Sequence, residues 1–228
     1  MAISLRNSPS WLALIIGLLL ACALAQADAA EATYQAGKDY ERIQPAAPTQ
    51  VPDEQVEVVV LFWYGCPHCY HFDPLVADWA EQQPDTVKIR RMPLASSQRW
   101  SMFAEVFYAA KALGVLEAIH MPLFRAIHDE RRRLFSRNAL AEFCAQTAGV
   151  EQAEFRDAMD SLYVQAKLSR DKRLARQYQV TSVPNMIIQG RYRVSASTAG
   201  SPERALKVAD YLVKRSQQAL QTTARAVP

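Results

Sequence analysis

Residues 56–63 read VEVVVLFW, and two residues later the chain runs Gly65-Cys66-Pro67-His68-Cys69. This junction constrains the fold more than any other stretch. A dense β-branched and aromatic run with one charge in eight residues predicts a strand buried on both faces, as in a parallel or mixed central sheet. Gly65 ends it. Beyond Cys66, apolar residues recur at Phe72, Leu75, Val76 and Trp79, and this spacing predicts a helix to about residue 83. Residues 84–85 (PD) read as a turn, and residues 86–92 (TVKIRRM) partly alternate, as a second strand would. Strand, helix and strand in this order form a βαβ unit.

The middle of the chain changes character. Residues 100–113, 116–128, 136–148, 151–162 and 164–178 all carry helical periodicity. Ser136 suits a helix cap and Gly149 the position just past a helix end. Pro122 falls near the start of its helix or kinks it. Residues 186–188 (MII) and 192–194 (YRV), separated by Gln189-Gly190-Arg191, predict a β-hairpin. Ser201-Pro202-Glu203 starts a last helix, expected to run to about residue 221. Residues 34–43 suggest one edge strand, and the Pro-rich residues 44–52 (QPAAPTQVP) read as a plain linker. The order βαβ, helices, ββα fits an α/β thioredoxin-like fold with an inserted helical domain. We expect the discontinuous thioredoxin-like domain over residues 31–96 plus 170–222 and the insertion over 97–169.

Composition narrows the class. Glycine is scarce at 7 of 228 residues, under half of average usage near ~7%, which disfavours a turn-rich all-β architecture. A net charge of +3 with no recurring basic stripe gives no support to nucleic-acid binding. Arg6 precedes an unbroken apolar run of 15 residues (WLALIIGLLLACALA), followed by small-x-small steps from Ala23 to Ala29. This predicts a secretory signal peptide over residues 1–25. The run is short for a spanning helix, which needs about 20 apolar residues. An uncleaved anchor and lipidation at Cys22, in Leu19-Leu20-Ala21-Cys22, are the alternatives. Removal of residues 1–25 leaves Cys66, Cys69 and Cys144 in a chain bound for an oxidising compartment. The leader predicts export from the cytoplasm.

The chemistry centres on Cys66 and Cys69. Cysteines at i and i+3 on a first helical turn can close a small disulfide ring or open to two thiols. Cys66 would face the free N–H groups and positive end of the helix, which favour a thiolate. Pro67 suits the first helical position, where no N–H is needed. His68 adds to the same effect if it is protonated or donates an N–H. A free thiol titrates near about 8.5. If Cys66 were depressed to roughly 4, the reduced form would gain ~4 kcal/mol at pH 7, on the order of 90 mV toward an oxidant. Stabilising the thiolate makes an oxidase, not a reductase. Competing readings are half a zinc site, for which the remaining Cys and His residues are scattered, or an inert structural disulfide. Cys144 sits in an apolar helical pattern and reads as a core thiol. His71 reads as a surface residue and Arg131-Arg132-Arg133 as a solvated face. The second informative feature is Val183-Pro184 before the hairpin, where a cis bond would bring the Val183 backbone to the cysteine pair.

Phe62-Trp63-Tyr64-Gly65-Cys66-Pro67-His68-Cys69-Tyr70, Thr181-Ser182-Val183-Pro184 and Gly190-Arg191-Tyr192 resemble the DsbA family of bacterial periplasmic thiol:disulfide oxidases. The likeness covers nearly the whole chain after the leader. The family is itself a standard case of a strongly acidic first cysteine. The resemblance implies that Cys66 forms mixed disulfides with substrates and that Cys69 is the buried resolving partner. It implies that Pro67 and His68 tune the potential, and that Val183 and a cis Pro184 shape the substrate-binding edge. The implied partners are unfolded exported polypeptides with free cysteines and a DsbB-type quinone-linked membrane oxidase. No metal or cofactor is implied, and the chain is expected to be a monomer. One departure stands out: many relatives carry a buried acid six residues before the first cysteine, and here that position is Val60, with Glu57 too uncertain a substitute. Alternatives to the oxidase are a reductase or isomerase, or a redox-inert peptide-binding or zinc-binding protein. Isomerases of this kind usually add a dimerisation domain, and residues 26–55 are too short and Pro-rich for one.

Overall fold

The alternating side-chain directions of one buried strand organise the molecule. The structure is a computed structural model and describes residues 33–226, so the expected leader and Cys22 lie outside the described residues. Strand β2 (Val56–Phe62) is buried along its whole length. It pairs in parallel with β3 (Val87–Pro93) and antiparallel with β4 (Asn185–Ile188). The hairpin partner β5 (Tyr192–Val194) follows β4, and the two-residue β1 (Glu41–Arg42) closes the edge. The sheet order is β1-β5-β4-β2-β3.

Because successive side chains of a strand point to opposite faces, β2 serves two cores. Val56, Val58 and Val60 pack with Phe72, Val76 and Trp79 of α1 (Pro67–Glu81) and with Val208 and Leu212 of α8 (Pro202–Ala226). Val59 and Leu61 face the other way, toward Leu174 and Tyr178. Leu174 lies on α6 (Leu162–Gln177). The remaining helices are α2 (Gln98–Ala112), α3 (Leu116–His128), α4 (Arg137–Ala148) and α5 (Gln152–Asp160), followed by the short α7 (Ala196–Ala199). A third core holds α2 to α5 together around Phe103, Phe107, Leu123, Phe124, Leu140 and Phe155. Phe62, Tyr64 and Cys69 belong to it, so the end of β2 and the start of α1 are gripped by the helical layer. This mixed five-stranded sheet with packed helices is the α/β thioredoxin-like architecture expected from the sequence.

Local chemistry explains the element ends. Ser97 and Ser136 cap α2 and α4 by accepting from the backbone N–H groups of Trp100 and Ala139. Gly149 stops α4 in the left-handed conformation at φ 70°. Gln189 and Gly190, with φ of 52° and 61°, lie in the three-residue connection of the hairpin, which Arg191 completes.

Three differences from the sequence expectations are physical. The segment 44–52 is not a free linker: Ala47 is buried, and its N–H donates to the Gly190 carbonyl at 2.9 Å. A Cβ on Gly190 would lie 2.1 Å from the Ala47 carbonyl oxygen, so the approach itself requires glycine. Helix α8 runs to Ala226, beyond the expected end near 221, because no glycine or proline interrupts the sequence there. Helix α7 was invisible to periodicity. It exists through a reciprocal cap in which Ser195 and Thr198 each bond the other's backbone N–H.

Candidate active site

The sheet delivers both sequence motifs to one place. Strand β2 ends at Phe62, and the Trp63 carbonyl accepts the N–H of Cys66 at 3.0 Å, folding the chain into the turn that opens α1. Cys66 is the extended residue just before the helix, with Pro67 at the first helical position. Antiparallel pairing of β4 with β2 brings the start of β4 beside the end of β2. The Val183–Pro184 bond, just before β4, is cis, and the Val183 carbonyl oxygen lies 3.7 Å from the Cys66 sulfur. Asn185 braces this loop by donating to the Ser182 carbonyl at 2.9 Å. Pro67 and His68 are exposed, Val183 and Pro184 are half-buried, and both cysteines are free thiols.

The two sulfurs occupy opposite environments. Cys66 is half-buried, and its pKa falls from 9.0 to about 6. The main cause is a hydrogen bond from the Cys69 thiol; burial opposes it, and the N–H groups of Cys69 and His68 and the His68 charge assist it. The neutral thiol makes no cap hydrogen bond of normal geometry, so the helix start acts on it chiefly when it carries charge. A depression to about 6 is smaller than one to near 4, because partial burial works against the donors. Cys69 is buried, and its thiol is pushed up, first by burial, then by its bond to Cys66 and by the Cys66 charge. At neutral pH one sulfur is an anion and its neighbour is a proton-bearing donor.

Gly65 carries a steric role that its backbone angles do not require. A Cβ there would fall 2.4 Å from the Trp63 indole. Trp63 lies over the turn and stacks on Trp100, ring centres 4.4 Å apart and planes within 6°. The Arg99 guanidinium sits 6.0 Å from the Trp63 ring and 4.7 Å from the ring of exposed Phe135.

Sequence reasoning missed the polar chain beneath the pair. His120 and His128 looked scattered, yet both reach the active-site turn from α3. His128 Nε2 lies 2.8 Å from the Tyr64 carbonyl oxygen, and its ring stacks on Tyr70. His120 Nδ1 lies 2.8 Å from the Tyr64 hydroxyl, and its Nε2 lies 3.1 Å from an Asp73 carboxylate oxygen. Arg91 of β3 donates twice to Asp73, at 2.7 and 3.0 Å. Burial works to raise the Asp73 pKa, but hydrogen bonds from His120 and Arg91 outweigh it and hold the carboxyl at about 2. The available signal was a histidine on the buried stripe Ile119, Leu123 and Phe124.

The other singled-out residues fall elsewhere. Val60 is buried in register with Arg91, so β2 offers Arg91 no acid. Glu57 points to the opposite face, where it pairs with Arg90 at 2.8 Å. Cys144 is buried in α4, and burial raises its thiol. His71 and Arg131–Arg133 are exposed, with the Arg132 guanidinium over the Phe143 ring. Among the described residues no three His, Cys, Asp or Glu side chains converge as a metal-binding group.

Known proteins are similar to this chain. A family model for the DSBA-like thioredoxin domain matches residues 57–207. The thiol:disulfide interchange protein DsbA of Pseudomonas aeruginosa is 38% identical over 207 residues, 90% of this chain and 97% of that one. The protein of the same name from Burkholderia cepacia is 36% identical over 204 residues, 90% and 95% of the two chains. The crystal structure of Pseudomonas aeruginosa DsbA superposes with a TM-score of 0.78 at 37% identity, covering 82% of this chain and 97% of that one. That of oxidoreductase DsbA from Xylella fastidiosa gives 0.75 at 28% identity, covering 81% and 98%.

Proposed function

The chain belongs to the DSBA-like thioredoxin family and is a thiol:disulfide oxidase, and we propose that it works by donating a Cys66–Cys69 disulfide to newly exported, unfolded polypeptides. A substrate thiolate attacks the Cys66 sulfur. The Cys66–Cys69 bond breaks, and its electron pair leaves on Cys69, which takes a proton. A second substrate thiolate then attacks the substrate sulfur of the mixed disulfide, and Cys66 leaves as a thiolate. Two electrons have passed from the substrate dithiol to the enzyme, and the substrate holds the new disulfide.

The observation that carries these roles is the asymmetry of the pair. Cys66 is half-buried with a pKa of about 6, so it leaves as an anion that is about nine-tenths ionised at pH 7. Cys69 is buried and held as a thiol, which suits a resolving partner shielded from substrate. The Val183 carbonyl, 3.7 Å from the Cys66 sulfur and beside Pro184, supports a role for this loop as the edge on which a substrate backbone lies. Exposed His68 and Pro67 tune Cys66 from the first helical turn. The leader over residues 1–25 directs export to the periplasm, where a quinone-linked membrane oxidase of the DsbB type re-forms the disulfide. The protein acts as a monomer, with residues 31–96 plus 170–222 as the redox domain and residues 97–169 as an inserted helical cover.

The test is oxidation of a reduced, unfolded substrate by the purified oxidised protein. Cys66→Ser abolishes it; in Cys69→Ser loaded beforehand as a Cys66–glutathione mixed disulfide, the substrate thiolate attacks the Cys66 sulfur, glutathione leaves as a thiolate, and the substrate stays held on Cys66. Mixed disulfides trapped at Cys69 instead would overturn the roles.

A further inference from the structure

A groove of about 610 Å³ runs between α6 and the segment that joins β3 to α2, and none of the disulfide-transfer steps uses it. Leu94, Ala175 and Val180 form its floor, and all three belong to the core against which Trp100 and Val183 pack. Two backbone bonds fix that floor relative to the redox pair. The Leu94 N–H donates to the Phe62 carbonyl at 2.8 Å, at the end of the strand that opens into the cysteine turn. The Val180 N–H donates to the Ala175 carbonyl at 3.0 Å, three residues before Val183. Three residues of backbone span at most about 11 Å. The Val183 carbonyl oxygen in turn lies 3.7 Å from the Cys66 sulfur. Thr181 and Ser182, between groove and sulfur, are exposed, so one short open surface joins the two.

The groove is chemically one-sided. Lys172 and Arg176, exposed and one turn apart on α6, line it, and no acid does. Ser96 and Ser97 add hydroxyl groups from the segment before α2. Residues 162–177 of α6 hold five Lys or Arg against a single acid, Asp171, which Arg170 already answers at 2.9 Å. Neither Lys172 nor Arg176 enters an ion pair among the described residues. Like charges one turn apart repel, and a helix face that served only solubility would gain from mixed signs.

We propose that this groove is a specificity site of the oxidase, in which Lys172 and Arg176 bind a carboxylate side chain of the client polypeptide about three residues from the cysteine that attacks Cys66. The proposal rests on the roles assigned above to Cys66 and to the Val183–Pro184 edge, and it adds the class of client that the edge prefers. The reach is consistent. An extended client advances about 3.3 Å per residue, so three residues cover the stretch from Val183 back to Val180. The flexible stems of Lys172 and Arg176 take up the remainder. Cations placed there act on encounter and on the register of the bound chain, and leave the sulfur chemistry to the cysteine turn. Solvent-exposed ion pairs are weak, so the groove biases the choice among clients without excluding neutral ones.

The experiment measures how fast the oxidised protein forms a disulfide in reduced, unstructured peptides with two cysteines. The third residue on each side of both cysteines is Glu, Gln or Lys, and a further peptide carries the same glutamates at its far ends. Each rate is divided by that of the same peptide with a small neutral disulfide, which removes the effect of the neighbouring charge on the cysteine itself. At low salt the Glu peptide should react about three- to fivefold faster than the Gln peptide, the range of one or two exposed ion pairs, and the Lys peptide more slowly than both. The spread should collapse in 1 M salt, where charges are screened beyond about 3 Å. Lys172→Glu/Arg176→Glu should invert the order, with the Lys peptide fastest, whereas Lys172→Arg/Arg176→Lys should keep it. Equal rates for Glu and Gln, an order that survives charge reversal, or an equal gain from glutamates at the far ends would overturn the proposal and leave the cysteine roles intact. Binding to vesicles of anionic phospholipid that charge reversal abolishes, with the peptide order unmoved, would assign the cations to a membrane surface and overturn it as well. Failure of the wild-type protein to oxidise any of the peptides would overturn the cysteine roles, and this proposal with them.

Discussion

Replacing Cys69 by alanine removes the largest single cause of the acidity of Cys66. The Cys69 thiol donates to the Cys66 sulfur, and that bond outranks burial, the backbone N–H groups and His68 in moving the pKa from 9.0 to about 6. A hydrogen bond to a charged group contributes about 1.5–3 kcal/mol, equivalent to about 1–2 pKa units. Because Cys66 is half open to water, the lower end of that range applies. Cys69→Ala should therefore raise the Cys66 midpoint by about one unit, whereas Cys69→Ser, which keeps an O–H donor, should stay within about half a unit. Ultraviolet thiolate absorbance, titrated from acid to alkaline pH, reads the midpoint directly. The same depression links pH to stability. The folded pKa lies below the unfolded one, so the contribution is complete only above pH 9 and is lost as pH falls through about 6. At pH 7 it amounts to ~1.4 kcal/mol before screening and less than about 1 after it. The reduced protein should thus gain stability over Cys66→Ser between pH 6 and 9. A Cys69→Ala midpoint still near 6 would refute the reasoning and transfer the effect to the helix start.

Two further outcomes follow from the packing. Gly65→Ala places a methyl group 2.4 Å from the Trp63 indole, so the Trp63–Trp100 stack must open. The cost should be about 1–3 kcal/mol in urea denaturation, with an altered near-ultraviolet dichroism; an unchanged spectrum contradicts the contact. Glu57→Ala strands the Arg90 charge beneath the sheet, where one of its nitrogens already lacks a partner. The loss should be about 3–5 kcal/mol, largely recovered in Glu57→Leu/Arg90→Met. A single-variant loss under about 1 kcal/mol would show that solvent reaches the pair.

The fold was legible where one pattern dominated. The run of residues 56–62, the hairpin at Gln189-Gly190 and the Ser136 and Gly149 ends of α4 each follow from local chemistry that tertiary packing reinforces. The active-site cysteines were legible for the same reason, since Cys66 owes its setting to the helix that begins one residue later. What stayed hidden depends on contacts between distant segments. Asp73 meets His120 across 47 positions, and Arg91 becomes its partner only because β3 lies beside β2. Glu57 sits three residues before Val60, which gives it the opposite parity along a strand, and its distance along the chain says nothing of that. Ala47 is buried through one close approach to a glycine carbonyl, a contact without a periodic signature.

The neighbouring arginines of β3 bear on how the sheet is assembled. Arg90 answers Glu57 on one face and Arg91 answers Asp73 on the other, each acid almost closed to water. If β3 slid by a single residue against β2, each guanidinium would be delivered to the wrong side. Two acids would then be stranded in apolar surroundings at several kcal/mol apiece. The twin charges act as a check on strand alignment, penalising a misthreaded sheet once α1 packs against it.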